Sequence, residues 1–157
     1  MCFSTESSMF TFLIASCCTL YLYKRNYTYG RTLALIFFSV ALMQLSEFIM
    51  WSDLNCGSIN NFGSKCAFIV LCMEPLVATF AVYYYGTSKI PEEYMKFIFY
   101  FYFIFYFYFI LRTIFYKKKL CSLPSPKLKH LIWDYEPIFD ELPKSINSLY
   151  WILYFLS

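Results

Sequence analysis

The chain has 157 residues, of which 60% are hydrophobic, 24% aromatic and only 15% charged. Soluble domains carry about 25% charged residues, and a soluble chain this short leaves too much surface facing water to hide so much apolar area. The net charge of +3 is small, and the basic residues are separated by apolar blocks, so a nucleic-acid-binding face is excluded. The composition points to an all-α, multi-pass transmembrane helical bundle with the lipid bilayer as its partner; self-association into a homo-oligomer is left open.

In chain order, the start is short and polar. Ser4, Thr5, Ser7 and Ser8 suit a helix cap, and Glu6 suits a helix N-terminus. The apolar run that follows lacks the basic flank of a cleaved signal peptide. A first span is predicted over about 9–23. It reaches membrane length only if residues 3–8 are partly embedded, which puts Glu6 at the boundary. Lys24, Arg25 and Arg31 make the next loop basic, which places it on the cytoplasmic side and the N-terminus on the other. Lys117, Lys118 and Lys119 pull against this orientation. On the cytoplasmic side, the sequon Asn26-Tyr27-Thr28 stays unmodified.

The second span is predicted over about 32–51, and the Asn-, Gly- and Ser-rich stretch 53–64 is a loop. The third, about 66–85, contains Glu74-Pro75, so a kink is expected just before the proline. The fourth, about 97–116, is an almost unbroken run of Phe, Tyr and Ile. In water it suits a strand, but in lipid an isolated strand leaves its backbone unpaired, so a lipid-facing helix is predicted. Residues 1–116 thus form a four-helix transmembrane region. Residues 117–157 form a second segment, in which Leu128, Leu131, Ile132 and Tyr135 share one helical face, as in a helix lying on the membrane surface. The closing stretch SLYWILYFLS is about half a span long. It either lies in the interface or begins a fifth span that is cut short, and the second reading is preferred.

The seven cysteines include no CxxC pair and the chain has a single histidine, so neither a structural metal site nor a cofactor is expected. Cys56 and Cys66 flank the polar loop and are the candidate disulfide, on an oxidising side of the membrane. Cys17, Cys18 and Cys72 are read as small buried hydrophobes.

Ionisable groups inside apolar runs are costly and ask for a reason. Gln44, Glu47 and Trp51 fall on one face of the second span. Counted inward from an interfacial Trp51, Glu47 lies roughly 6 Å and Gln44 roughly 10 Å deep; Glu74 lies about 12 Å from Cys66. If the second and third spans are antiparallel neighbours, Gln44 and Glu74 meet at similar depth, with Glu47 one turn above. Glu6 and the surface helix carrying His130 and Asp134 fall on the same outer side. The candidate site is therefore Gln44, Glu47, Glu74, Glu6 and His130 around one cavity opening outward. The structural alternative is that Glu47, hydrogen-bonded to Gln44, only joins helices.

MCFS at the start, the basic loop ending at Arg31, and then LALIFFSVALMQLSEFIMW together resemble a family of uncharacterised multi-pass membrane proteins. Its members occur in bacteria and large DNA viruses. They begin MCFS and carry a Gln/Glu motif ending in Trp on the second helix. Ser4, Gln44, Glu47 and Trp51 carry the likeness, which covers about the first half. The aromatic run after Lys96 and the end of the chain depart from the pattern. The resemblance implies a viral or cellular membrane location and no particular activity.

Three functions are open at this stage. Buried carboxylates Glu47 and Glu74 bind a proton, a cation or a small polar solute. Alternatively, the polar groups merely lock helices in a structural or assembly component of a viral or cellular membrane. In a third reading Glu47, Glu74, His130 and Asp134 serve an intramembrane metal-dependent hydrolase, although a lone histidine makes a poor zinc site. No nucleophile elbow, phosphate loop or HExxH motif occurs, which makes an enzyme the less favoured class.

Overall fold

A computed structural model describes residues 4–25, 27, 29–85, 91–127, 129–133, 138–139 and 143–156. Most of them are helical. Helix α1 runs Thr5–Arg25, α2 Gly30–Trp51, α3 Ser58–Tyr85 and α4 Glu92–Phe115. A two-stranded antiparallel ribbon follows, β1 Leu123–Pro124 with β2 Leu131–Ile132, and then α5, Lys144–Leu156. Helices α2, α3 and α4 are long and apolar enough to cross a membrane. With 21 residues α1 has the length, but Glu6 among serines at one end and Lys24 and Arg25 at the other dilute its apolar run.

The first four helices pack in sequence, α1 on α2, α2 on α3 and α3 on α4. The α2–α3 contact is built from small residues. Thr32, Ser39 and Ser46, at seven-residue spacing, are buried on α2, and Gly63, Ser64, Ala67 and Ala81 on α3. Small residues let helix backbones approach closely without relying on water expulsion. Gly63 is the tightest point: a Cβ there stands 2.8 Å from Met50 Cγ and 3.0 Å from the Met50 backbone nitrogen. At the other end of the pair, Thr32 Oγ1 donates to the Ala81 carbonyl at 3.3 Å. Both contacts fit one antiparallel register, which sets Ser39 level with Glu74 and Glu47 level with Cys66.

The aromatic run forms a helix, as lipid or a tight core requires. It is not uniformly outward-facing, because Met95, Tyr102, Tyr106, Phe109 and Thr113 are buried at heptad-like spacing. Against this stripe packs α5. Tyr150 is fully buried, with ring centroids 4.8 Å from Phe109, 5.0 Å from Phe139 and 5.6 Å from Tyr106. Such offset and edge-on pairs add to what burial alone contributes.

Several expectations are corrected. The disulfide joins Cys56 to Cys121, with Cα atoms 5.1 Å apart, and Cys66 is free. Helix α3 begins at Ser58, so Cys66 stands more than two turns inside a helix, about 12 Å along its axis. Where a surface helix was expected, Leu131 and Ile132 form a strand of the ribbon; Leu128 and Tyr135, also on its expected face, lie outside the described residues. Pro124 lies in β1, an edge position of a two-stranded ribbon where a missing backbone donor is tolerated. Lys129 takes a left-handed turn (φ 54°), and Ser125 N donates to the His130 carbonyl at 2.7 Å. Burial there follows period two, with Leu131 buried and Ile132 56% exposed. The last stretch is a helix, as preferred from sequence, and Tyr150 seats it in the core. Of the small cysteines, Cys72 is buried, whereas Cys17 and Cys18 are exposed.

Candidate functional site

The structure separates the sequence-predicted residues. Glu6 is exposed in the first turn of α1, where Ser4 and Ser7 cap the helix reciprocally: Ser7 N donates to Ser4 Oγ at 3.2 Å and Ser4 N to Ser7 Oγ at 3.3 Å. His130 is half-buried at the ribbon turn, and its carbonyl closes that turn. The ribbon covers the end of the bundle that carries the disulfide, with Leu131 packed on Met50 and Ala67. Asp134 lies outside the described residues. Glu47 is 1% exposed within α2.

Gln44 and Glu74 line different cavities. Gln44 borders a groove between α1 and α2. Glu74 borders a cavity of about 200 Å³ between α2, α3 and α5, together with Ile36, Ser39, Val40, Pro75, Ala78 and Tyr154. The α2–α3 register explains the separation. Glu74 is level with Ser39, five residues or about 7 Å along α2 from Gln44. The depth count from Cys66 failed because Cys66 is level with Glu47, not with Trp51.

Within the cavity, the Tyr154 hydroxyl donates to Glu74 Oε2 at 2.6 Å, the length of a hydroxyl–carboxylate hydrogen bond. Ser39 Oγ donates to its own helix at Ile36 O, 2.7 Å, which leaves its lone pairs as acceptors. Helix α3 continues through Pro75, and Thr79 Oγ1 donates to the Pro75 carbonyl at 2.8 Å. The remaining walls are apolar. The site therefore offers one carboxylate, one phenol and one serine hydroxyl in room for a handful of waters at about 30 Å³ each. Glu74 lies about 16 Å along α3 from Gly63, so ribbon and cavity occupy different levels of the bundle.

Tyr154 was not singled out from the sequence. Its only cue is an i, i+4 spacing from Tyr150 on a short apolar helix, which any core helix shares. A second feature missed from sequence is the polar clamp at the disulfide end. Asn60 Nδ2 donates to Met50 O at 3.2 Å and to Ser122 O at 2.8 Å, while Asn60 Oδ1 accepts from Ser122 N at 2.8 Å. Ser64 and Ser122 hydroxyls are 2.7 Å apart, and Lys65 Nζ donates to the Tyr116 carbonyl at 2.6 Å. Among the described residues no group of three or more His, Cys, Asp or Glu is placed to hold a metal ion.

No family model matches the chain, and neither the curated proteins nor the solved structures contain a significant match.

Proposed function

We propose that the chain is a multi-pass integral membrane protein whose Glu74 carboxylate, held by Tyr154, binds a proton, a small cation or a small cationic solute within the bilayer. α1 is the fourth crossing helix in this reading. It has the length, and it packs antiparallel along α2. The N-terminus, the disulfide and the ribbon lie on the non-cytoplasmic side. A bond between Cys56 and Cys121 suits an oxidising compartment, and the basic residues Lys24, Arg25 and Arg31 suit the cytoplasmic face.

The observation that carries the functional reading is an acidic side chain lining an apolar-walled cavity with the Tyr154 hydroxyl bonded to it. Ionisable groups at that depth mark ion and proton sites more often than they mark packing. Glu74→Gln keeps the shape and a hydrogen-bond acceptor for Tyr154 but removes the charge. In proteoliposomes loaded with a pH-sensitive dye, the wild-type chain carries protons or monovalent cations down an imposed gradient and Glu74→Gln does not. Equal flux through both chains rejects the proposal.

A structural role is the second reading, favoured by the fact that the same hydrogen bond ties α5 to α3. In that case Glu74→Gln and Tyr154→Phe change stability and assembly together, with no separable transport.

A further inference from the structure

The groove between α1 and α2 is distinct from the Glu74 cavity and encloses about 320 Å³. Both of its walls carry the spacing of helix packing. Thr11, Ala15, Cys18 and Leu22 line it from α1, a 4-3-4 series, and Phe37, Ala41 and Gln44 from α2, a 4-3 series. Residues that recur every 3.5 positions form the seam into which a second helix sets its side chains. The α1 seam is unfilled: Thr11 and Cys18 are exposed, and Ala15 and Leu22 are half-buried. Its first three members are small, and small residues let helix backbones approach closely in lipid. Among the described residues α1 packs on α2 and makes no comparable contact with another helix.

Thr19 also lines the groove. It is only 7% exposed, and its Oγ1 has no hydrogen-bond partner among the described residues. A buried hydroxyl left unpaired costs free energy, so it marks a place where an acceptor is missing. Thr19 stands about 9 Å along α1 from Arg25. With Arg25 at the membrane surface, that is deeper than the roughly 5–8 Å polar zone of a leaflet. Lipid at this level is hydrocarbon and holds no acceptor. A helix does hold one, because each backbone carbonyl keeps a second lone pair after its own helical bond is made. Threonine and glutamine are among the side chains that hydrogen-bond across helices within a bilayer, and Gln44 borders the same groove.

The seam also identifies the partner. The Cys56–Cys121 bond suits one side of the membrane only, which gives every copy the same orientation. Helix α1 of a second copy then stands parallel and at the same height. A two-fold axis along the membrane normal brings Thr11, Ala15, Cys18 and Leu22 of one copy against the same four of the other, and such an interface closes on itself. No charged residue lies between Glu6 and Lys24, so nothing within the seam repels a like copy. Arg25, seven residues past Cys18, ends the seam, with its guanidinium 5.9 and 5.2 Å from the Tyr21 and Tyr27 rings. Like charges at the membrane surface are screened within about 8 Å at physiological salt.

We infer that this groove is a homodimer interface. Helix α1 of one copy seats in the α1–α2 groove of the other, and Thr19 Oγ1 donates to a carbonyl of the partner helix. The inference rests on α1 crossing the bilayer, not on any activity of Glu74.

The test uses the full chain in membranes, with Cys2→Ser and Cys66→Ser as background. Cys17 and Cys18 are both exposed but point about 100° apart around α1. Oxidation with copper phenanthroline is expected to give a disulfide-linked dimer that Cys18→Ser abolishes and Cys17→Ser leaves intact. Energy transfer between copies labelled at the N-terminus reads the dimer in detergent without cross-linking. Thr19→Val is isosteric and weakens association about tenfold, about threefold for each of the two interhelical bonds of a symmetric dimer. Ala15→Leu fills the seam and removes the dimer. Protection of Cys121 from alkylation, kept in both variants, shows that each is folded. A dimer linked equally through Cys17, a wild-type chain that stays monomeric, or wild-type association in Thr19→Val and Ala15→Leu overturns the inference. So does a monomer that retains one tightly held lipid, since lipid is then the occupant. Release of the chain from membranes by an alkaline carbonate wash rejects the membrane reading, and the inference with it.

Discussion

The hydroxyl of Tyr154 and the carboxylate of Glu74 are joined at 2.6 Å across a sequence separation of 80 residues. This bond makes the last helix part of the cavity wall, so α5 is a component of the site as well as of the core.

Tyr154→Phe keeps the ring and removes the bond. A loss of roughly 1–2 kcal/mol in unfolding free energy is expected, the range for a hydrogen bond between a neutral and an acidic partner. Glu74→Gln, which retains an acceptor, costs less. Thermal unfolding of both variants in one detergent checks the order, and a larger loss in Glu74→Gln contradicts it.

Gly63→Ala tests the close approach of α2 and α3. Helix propensity alone favours alanine by about 1 kcal/mol. The added Cβ meets Met50 Cγ and backbone, however, and overpacking costs about 1–3 kcal/mol. Net destabilisation is expected, and because Met50 N also stands in the way, Met50→Ala relieves it only in part. A stabilised Gly63→Ala variant is incompatible with the register that sets Glu74 level with Ser39.

Asn60→Ala strips three hydrogen bonds from buried backbone groups of Met50 and Ser122. Each orphaned group costs about 1–3 kcal/mol, so the segment beyond the Cys121 disulfide is expected to loosen. Limited proteolysis reads this as new cleavage near residues 122–133. Unchanged cleavage means the clamp is not what holds the segment.

The disulfide makes a separate prediction. Without reductant, Cys56 and Cys121 resist alkylation, and Cys66→Ser leaves that protection intact. The bond closes a loop with a sequence separation of 65, and its reduction lowers stability by about 2–4 kcal/mol. Ready alkylation of Cys121 in the unreduced chain excludes the pairing.

Much of the helical framework was legible because a long apolar run has few alternatives to helix, and the bounds of α2 and α4 fall within a few residues of expectation. Register was not legible. Relative depth in two helices depends on where each begins, and the stretch before Cys66 looks like loop by composition although it supplies the first turns of α3. That one misjudgement placed Glu74 beside Gln44 and paired Cys56 with Cys66. The buried stripe of α4 was hidden because Phe and Tyr occupy both faces, so periodicity carries no contrast. Ribbon and helix compete around Leu131, and the left-handed turn at Lys129, closed by the Ser125–His130 backbone bond, runs against the apolar pattern. Glu74 was found from its cost in an apolar run, while Tyr154 carries no such cost and became visible only when α5 folded back.

The most direct measurement is an infrared difference spectrum of the protein in lipid vesicles between high and low pH, recorded for wild type, Glu74→Gln and Tyr154→Phe. A titrating carboxyl band that is missing in Glu74→Gln and displaced in Tyr154→Phe is expected of a carboxylate that exchanges a proton while held by that phenol. Superimposable spectra from the wild type and Glu74→Gln contradict a proton- or cation-exchanging role for Glu74.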